Sequence, residues 1–255
     1  MIWIIGGTKD SRDITEKILN LKNEKLLIST ATEYGGKLFK NMDNSLIEII
    51  DQKLDISEME KIITEKKISV IIDASHPYAV NVSSNVMTAS KKTGAKYFRF
   101  ERKMLQYNEA ERFGSLDELV SYVKNNIENK NILSTLGSNN LSDIMGISDE
   151  NNLYVRILPT TDSIQKAEKL GYLPSKIIAI HGPVSKKLNK AILESYAIDF
   201  FFFFESGETG GEIEKVEACK ETGVRILVLK RPEIEYINCF NDIEELLGGV
   251  FGQCH

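Results

Sequence analysis

The sequence predicts an α/β protein of two successive domains, each with a parallel sheet, and a ligand cleft between them. Three observations carry this expectation. Short apolar runs such as Met1 to Ile5 and Phe200 to Phe204 have the length and composition of strands covered on both faces. They alternate with stretches of helical periodicity, which implies parallel strands joined by helices. The alternation pauses in a polar stretch, Glu101 to Gly114, and then begins again. The boundary is placed there, giving domains 1–105 and 106–255 of ordinary size.

In chain order, Met1 to Ile5 is the first strand, and Gly6-Gly7-Thr8 follows at once. Ile14, Ile18 and Leu21 then share a helical face. Strand, glycine turn and helix begin a nucleotide-binding unit, although the full GxGxxG fingerprint is absent. Lys25 to Thr30 is the second strand; its end lacks the acidic residue that would hold a ribose 2′-hydroxyl. Leu46 to Ile50 is the third. Ser57 and Glu60 have capping-box spacing ahead of Met59, Ile62 and Ile63. Ser69 to Ile72 leads into Asp73-Ala74-Ser75-His76-Pro77-Tyr78, polar groups gathered at a strand end where open α/β sheets bind ligands. Pro77 suits the first position of the next helix. Lys96 to Phe100 sends Arg99 and Glu101 to one side and Phe98 and Phe100 to the other.

Beyond the boundary, Ser115 and Glu118 have capping-box spacing before Leu116, Leu119, Val120 and Val123. Asn131 to Thr135 is a strand ending in Leu136-Gly137-Ser138, and Leu153 to Leu158 a strand carrying Arg156. A helix over Thr161 to Leu170 is closed by Gly171. Ile177 to Ile180 leads to His181-Gly182-Pro183 and a helix reaching Leu193. The phenylalanine strand runs into Glu205-Ser206-Gly207-Glu208-Thr209-Gly210-Gly211 and a helix bearing Ile213, Val216 and Cys219. Such a turn allows positive φ and close ligand approach, and the helix start favours an anion. Arg225 to Leu229 ends in Lys230-Arg231-Pro232, and Asp242 to Leu247 is the last helix.

Composition narrows the function classes. A net charge of −5 argues against general nucleic-acid binding. The apolar start is too short for a signal peptide core or a membrane span. Cys219, Cys239 and Cys254 show no paired or metal-type spacing, which implies a reduced, cytoplasmic setting and no metal site.

One ordered set of motifs spans nearly the whole chain. It comprises Gly6-Gly7-Thr8, Asp73 to Ala79, Phe98 to Arg102, Gly137-Ser138, Arg156 to Pro159, Gly182-Pro183 with Asn189, Ser206-Gly207, Gly210-Gly211, Glu214-Lys215 and Arg231-Pro232. This set resembles the precorrin-6A reductases of cobalamin biosynthesis, including the cobalt-precorrin-6A reductases. The resemblance implies two Rossmann-like domains and reduction of one double bond of a corrinoid macrocycle by NADPH or NADH. Phe204, Asn139 and Lys103 depart from the family pattern, which has lysine at the first two positions and proline at the third.

The substrate implied is a tetrapyrrole, precorrin-6A or its cobalt form, bearing many carboxylates; the cofactor bears phosphates. Tyr78, Arg99, Arg102, Ser138, Arg156, Lys215 and Arg231 are therefore the candidate substrate contacts, guanidinium–carboxylate bonds being stronger than neutral ones. Gly6, Gly7 and Thr8 form one candidate phosphate cradle; Gly207, Gly210 and Gly211 form the other. Which turn holds the cofactor is open. Asp73, His76 and Glu205 are the candidate proton donors, with His76 ranked first because imidazole titrates near neutrality. The alternatives are a reductase of another anionic metabolite and a nucleotide-sensing protein. Monomer and homodimer are both compatible with the sequence.

Overall fold

The computed structural model describes residues 1–30, 35, 36, 39, 42 and 45–252. The chain forms two compact units, Met1–Arg102 together with the segment from Pro232 onward, and Lys103–Arg231. Each is built on a six-stranded sheet in which every pairing is parallel.

In the first unit the strands are β1 (Ile2–Ile5), β2 (Leu26–Ser29), β3 (Ile47–Ile50), β4 (Val70–Asp73) and β5 (Lys96–Phe100). Helices α1 (Lys9–Leu21), α2 (Ile56–Glu65) and α3 (Val80–Thr93) connect them. The sheet order β3-β2-β1-β4-β5 reverses direction between β1 and β4. In a doubly wound sheet that reversal opens the ligand crevice at the strands' carboxyl ends.

All four residues of β1 are buried, and side-chain alternation sends them to two cores. Ile2 and Ile4 join Ile14 and Ile18 of α1 on one face. Trp3 and Ile5 join Met59 and Ile63 of α2 and Val86 and Ala89 of α3 on the other. Each fully buried side chain of this kind stabilises by about 1.5–3 kcal/mol. Leu21, expected on the buried face of α1, is 60% exposed.

The second unit contains β6 (Ala110–Phe113), α4 (Leu116–Asn126), β7 (Asn131–Ser134), α5 (Leu141–Ile144), β8 (Asn152–Ile157) and α6 (Thr161–Lys169). It continues with β9 (Ile177–Ala179), α7 (Lys186–Ser195), β10 (Phe200–Phe204), α8 (Glu212–Thr222) and β11 (Arg225–Leu229). Its order, β6-β11-β10-β7-β8-β9, reverses between β7 and β10. Phe201 and Phe203 pack with Ile192, Leu193, Val216 and Cys219 on one face.

The boundaries differ from the sequence reading in one large respect. The second unit ends at Arg231 rather than at residue 255. Beyond it, β12 (Cys239–Phe240) pairs with β5, and α9 (Ile243–Phe251) delivers Leu246 and Leu247 to the first core. The returning segment covers β5, which would otherwise be a bare edge. It completes the order β3-β2-β1-β4-β5-β12. A two-residue strand leaves no periodicity to read. The edge strand β6 escaped notice for a related reason: it lies in the polar stretch, with Glu111 and Arg112 inside it.

Local corrections follow from capping chemistry. The capping box of α2 is Asp55 with Glu58, not Ser57 with Glu60. Pro77 lies in a turn, and α3 begins at Val80. Ser115 caps α4 as expected, accepting from the N–H of Glu118.

Candidate active site

The turn after β1 is assembled around Ser11. Thr8 caps α1, accepting from the Ser11 N–H. In return the Ser11 hydroxyl receives the N–H of Gly7 at 3.1 Å and of Thr8 at 3.0 Å. The Gly6 N–H goes to Ser29 O. A Cβ on Gly6 would lie 2.4 Å from Ser11 Cβ and Oγ, so glycine is required for packing. Gly7 has φ +98°, a conformation glycine adopts at no steric cost. The three amides expected to cradle phosphate are therefore occupied within the protein. Among the described residues, the N–H groups of Lys9 and Asp10 carry no partner. They belong to the first turn of a thirteen-residue helix, where backbone donors and the dipole favour an anion.

The hydroxyl of Thr8 donates to Ala74 O at 2.9 Å, joining this turn to the end of β4 across the switch point. There Asp73 is wholly buried. It accepts from the Ser75 N–H, the Ser83 hydroxyl and the Tyr97 hydroxyl at 3.0, 2.6 and 2.8 Å. It also faces the Arg99 guanidinium at 3.0 Å. Arg99 is 0% exposed, pairs with Glu101 at 2.7 Å and stacks on Tyr236. Burial opposes its charge, but Asp73 and Glu101 outweigh that and hold its pKa above the ordinary value. Burial, reinforced by Asp73, raises the pKa of Tyr97 far above the usual phenol range. Arg99, expected at a ligand, thus lies inside a closed network.

His76 follows this network and is partly buried. Its Nδ1 accepts from the Tyr78 N–H at 3.4 Å, and the two rings lie 5.6 Å apart. An acceptor Nδ1 places the imidazole proton on Nε2. Arg102 pairs with Asp10, on α1.

In the second unit the late glycine turn encloses its own carboxylate. Glu212 is 0% exposed, receives the Gly207 N–H at 2.6 Å and accepts from the Tyr107 hydroxyl at 2.7 Å. The N–H groups of Gly210 and Gly211 go to Gly207 O and Glu208 O. Glu205 is held by Arg112 at 2.7 Å and by the Arg231 N–H at 3.3 Å, with Arg231 Nε at 3.8 Å. Burial, then Glu212, raises the pKa of Tyr107. Ser138 follows Gly137, whose φ is +80°, and shares a hydrogen bond with Ser163 at 3.1 Å. Lys215 is buried with its ammonium 5.1 Å from the Phe203 ring centre.

Arg156 stands apart. It is 9% exposed on β8, bonded through Nη1 to Asn189 Oδ1 at 2.7 Å, and 5.8 Å from the Phe201 ring centre. Every other arginine faces a carboxylate: Arg12 with Glu16, Arg99 with Asp73, Arg102 with Asp10, Arg112 and Arg231 with Glu205, Arg225 with Glu111. Among the described residues Arg156 has no acidic partner. Burial lowers its pKa to about 10.

The structure thus joins Gly6, Gly7, Thr8, Asp73, His76 and Tyr78 at the first switch point. It places Glu205, Ser138 and the late glycines at the strand ends flanking the second. Sequence reasoning missed Ser11, Tyr97, Ser83, Arg112, Tyr107 and Glu212 as the groups that occupy these polar ends, and it gave Asn189 no role. Ser11 had a signal, since it stands three residues after Thr8 as a capping partner does. The others are brought in by tertiary contacts.

Among the described residues no helix is long and apolar enough to cross a membrane. A family model described as precorrin-6x reductase CbiJ/CobK matches residues 1–250. The cobalt-precorrin-6A reductase of Methanocaldococcus jannaschii is 35% identical over 255 residues, 96% of each chain. That of Methanococcus maripaludis is 36% identical over 248 residues, 96% of this chain and 97% of the other. A solved structure of CobK precorrin-6A reductase superposes with a TM-score of 0.80, covering 98% of this chain and 96% of that one. Their identity is 17%, so this likeness speaks for the fold. Sequence and fold agree, and the chain belongs to the precorrin-6x reductase CbiJ/CobK family.

Proposed function

We propose that this chain reduces one double bond of cobalt-precorrin-6A, giving the 6B form, at the expense of NADH or NADPH. The observation that carries the proposal is the 35% identity, over almost the entire length, to a protein named for that substrate. The precorrin-6A reductase of Sinorhizobium sp. is 19% identical, which favours the cobalt-containing substrate.

The two turns fit a nicotinamide cofactor unequally. A buried carboxylate already fills the late turn and would repel a phosphate. The turn after β1 offers the Lys9 and Asp10 amides at a helix N-terminus, and the Asp10 carboxylate is neutralised by Arg102. We therefore assign the cofactor phosphates to the Lys9 and Asp10 amides, with Gly6, Gly7 and Thr8 shaping the turn. When bound, the nicotinamide supplies the hydride.

The protein's own work is positioning and proton supply. Asp73 and Glu205 face guanidinium groups from within the protein, so neither is placed to hand a proton to a ligand. His76 fits that role better, since its Nδ1 accepts from the backbone and its Nε2 carries the proton. Held at the switch point, the ring takes a second proton from solvent at Nδ1, giving up the long bond from the Tyr78 N–H, and the imidazolium then delivers its Nε2 proton to the macrocycle as charge develops there. In the second unit, Arg156 is, among the described residues, the arginine that no carboxylate holds, and it is the group that meets a substrate carboxylate.

The test is to mix purified protein with cobalt-precorrin-6A and NADH or NADPH in separate reactions and to follow nicotinamide absorbance. Oxidation that depends on the macrocycle supports the reading, and the faster cofactor is the physiological one. Cofactor binding without oxidation would overturn it.

A further inference from the structure

Arg156 poses a physical question. Burying a guanidinium without an acid costs several kcal/mol after relaxation, and the cation–π contact with Phe201, at 5.8 Å to the ring centre, returns about 2 kcal/mol of that. Every other arginine of the chain is matched with a carboxylate, so this protein has the means to neutralise such a group. At Arg156 it places an amide instead. Asn189, on α7 and 1% exposed, accepts from Nη1 through Oδ1 and donates through Nδ2 to Val184 O at 2.8 Å. The second bond fixes which end of the amide faces the guanidinium. An aspartate there would have nearly the same shape and would satisfy the charge. A neutral acceptor orients the fork yet leaves its charge for something else.

We propose that Asn189 is a positioning residue that holds Arg156 as an acid-free anchor for one carboxylate of the macrocycle. The proposal rests on the substrate assigned above, and it adds why position 189 carries an amide. A guanidinium anchored at one nitrogen presents its remaining donors in a fixed plane, and a carboxylate matches that plane with two oxygens.

The experiment is a double-mutant cycle on the full chain with Asn189→Asp and Arg156→Gln. The probe is uroporphyrin, a porphyrin with eight carboxylates, titrated at constant ionic strength by fluorescence. Asn189→Asp supplies an internal acid, so probe affinity should fall about ten- to hundredfold, the worth of one charge-assisted contact. Arg156→Gln should lose a similar factor, and the double variant should lose no more than either alone. A merely structural Asn189 predicts the contrary: wild-type affinity in Asn189→Asp, or losses that multiply in the double variant. Either result overturns the proposal. Should Asn189→Asp fail to fold by circular dichroism, Asn189→Ala carries the same cycle without a new charge. Its loss should vanish when Arg156 is already glutamine, and a loss that persists overturns the proposal.

Turnover provides a second readout. With cobalt-precorrin-6A, Asn189→Asp should raise KM by a similar factor and leave kcat within about twofold, as for uniform binding. A fall in kcat at unchanged KM overturns the anchor role. If the wild-type protein oxidises no nicotinamide with this substrate, the functional reading fails while the porphyrin cycle still decides the anchor.

Discussion

Replacing Gly6 by alanine tests whether the first turn is built for packing or for a ligand. The added Cβ would lie 2.4 Å from two atoms of Ser11, far inside contact distance. Gly6 has no positive φ, so backbone strain does not enter. Accommodating the methyl by shifts alone costs about 1–3 kcal/mol. If Ser11 moves aside instead, its hydroxyl gives up the Gly7 and Thr8 N–H groups, each bond being worth about 0.5–1.5 kcal/mol net. With both effects the loss is about 2–6 kcal/mol, a fall in Tm on the order of 10 °C for a chain of this size. The assay is thermal unfolding followed by circular dichroism, for Gly6→Ala, Ser11→Gly and the double variant. Removing the Ser11 side chain removes the clash, so the double variant should be no less stable than Ser11→Gly alone. Wild-type stability in Gly6→Ala, or additive losses in the double variant, would refute the reasoning.

Other expectations follow from the same contacts. Arg99→Met leaves Asp73 buried without its cation and should destabilise by about 3–5 kcal/mol, measured by urea unfolding. His76→Ala should lower kcat by about 10²–10⁴-fold without changing cofactor affinity; unchanged turnover would remove His76 as the proton donor. Burial raises the Cys219 thiol from 9.0 to about 12, with Lys215 opposing. The folded thiol keeps its proton where the unfolded one has lost it, so this contribution is complete below pH 9.0 and fades as pH rises toward about 12. Stability measured across that window should fall less steeply in Cys219→Ala.

Much of the fold was legible because parallel strands covered on both faces read as continuous apolar runs. Phe200 to Phe204 needed no context to be recognised, and β5 and β11 were placed to the residue. What escaped were edge elements whose existence depends on the sheet they complete. β6 has two adjacent charged residues, Glu111 and Arg112, at its centre, and β12 has two residues in all. The site divides in the same way. Turn positions were visible because strand-to-helix turns carry glycine and capping residues. The fate of each charge was not, because partners lie far apart in sequence: Arg102 meets Asp10, Arg112 meets Glu205, and Tyr107 meets Glu212.

That pairing changes how an acidic protein can bind polyanions. Arg99, Arg102, Arg156, Lys215 and Arg231 were expected to meet the anions together. Instead, the guanidinium groups near the strand ends are neutralised by carboxylates such as Asp73, Asp10 and Glu205, several of them buried. Buried pairs of this kind contribute rigidity more than free charge. They fix the turns that carry His76 and the Lys9–Asp10 amides, which keeps the proposed donor and phosphate site in place. On the anchor proposed above, recognition of a carboxylate falls to short-range contacts, above all the donors of Arg156. Such contacts are weakened less by salt than a diffuse positive surface would be. Affinity for the macrocycle should therefore depend more on geometry at Arg156 and Asn189 than on the protein's net charge.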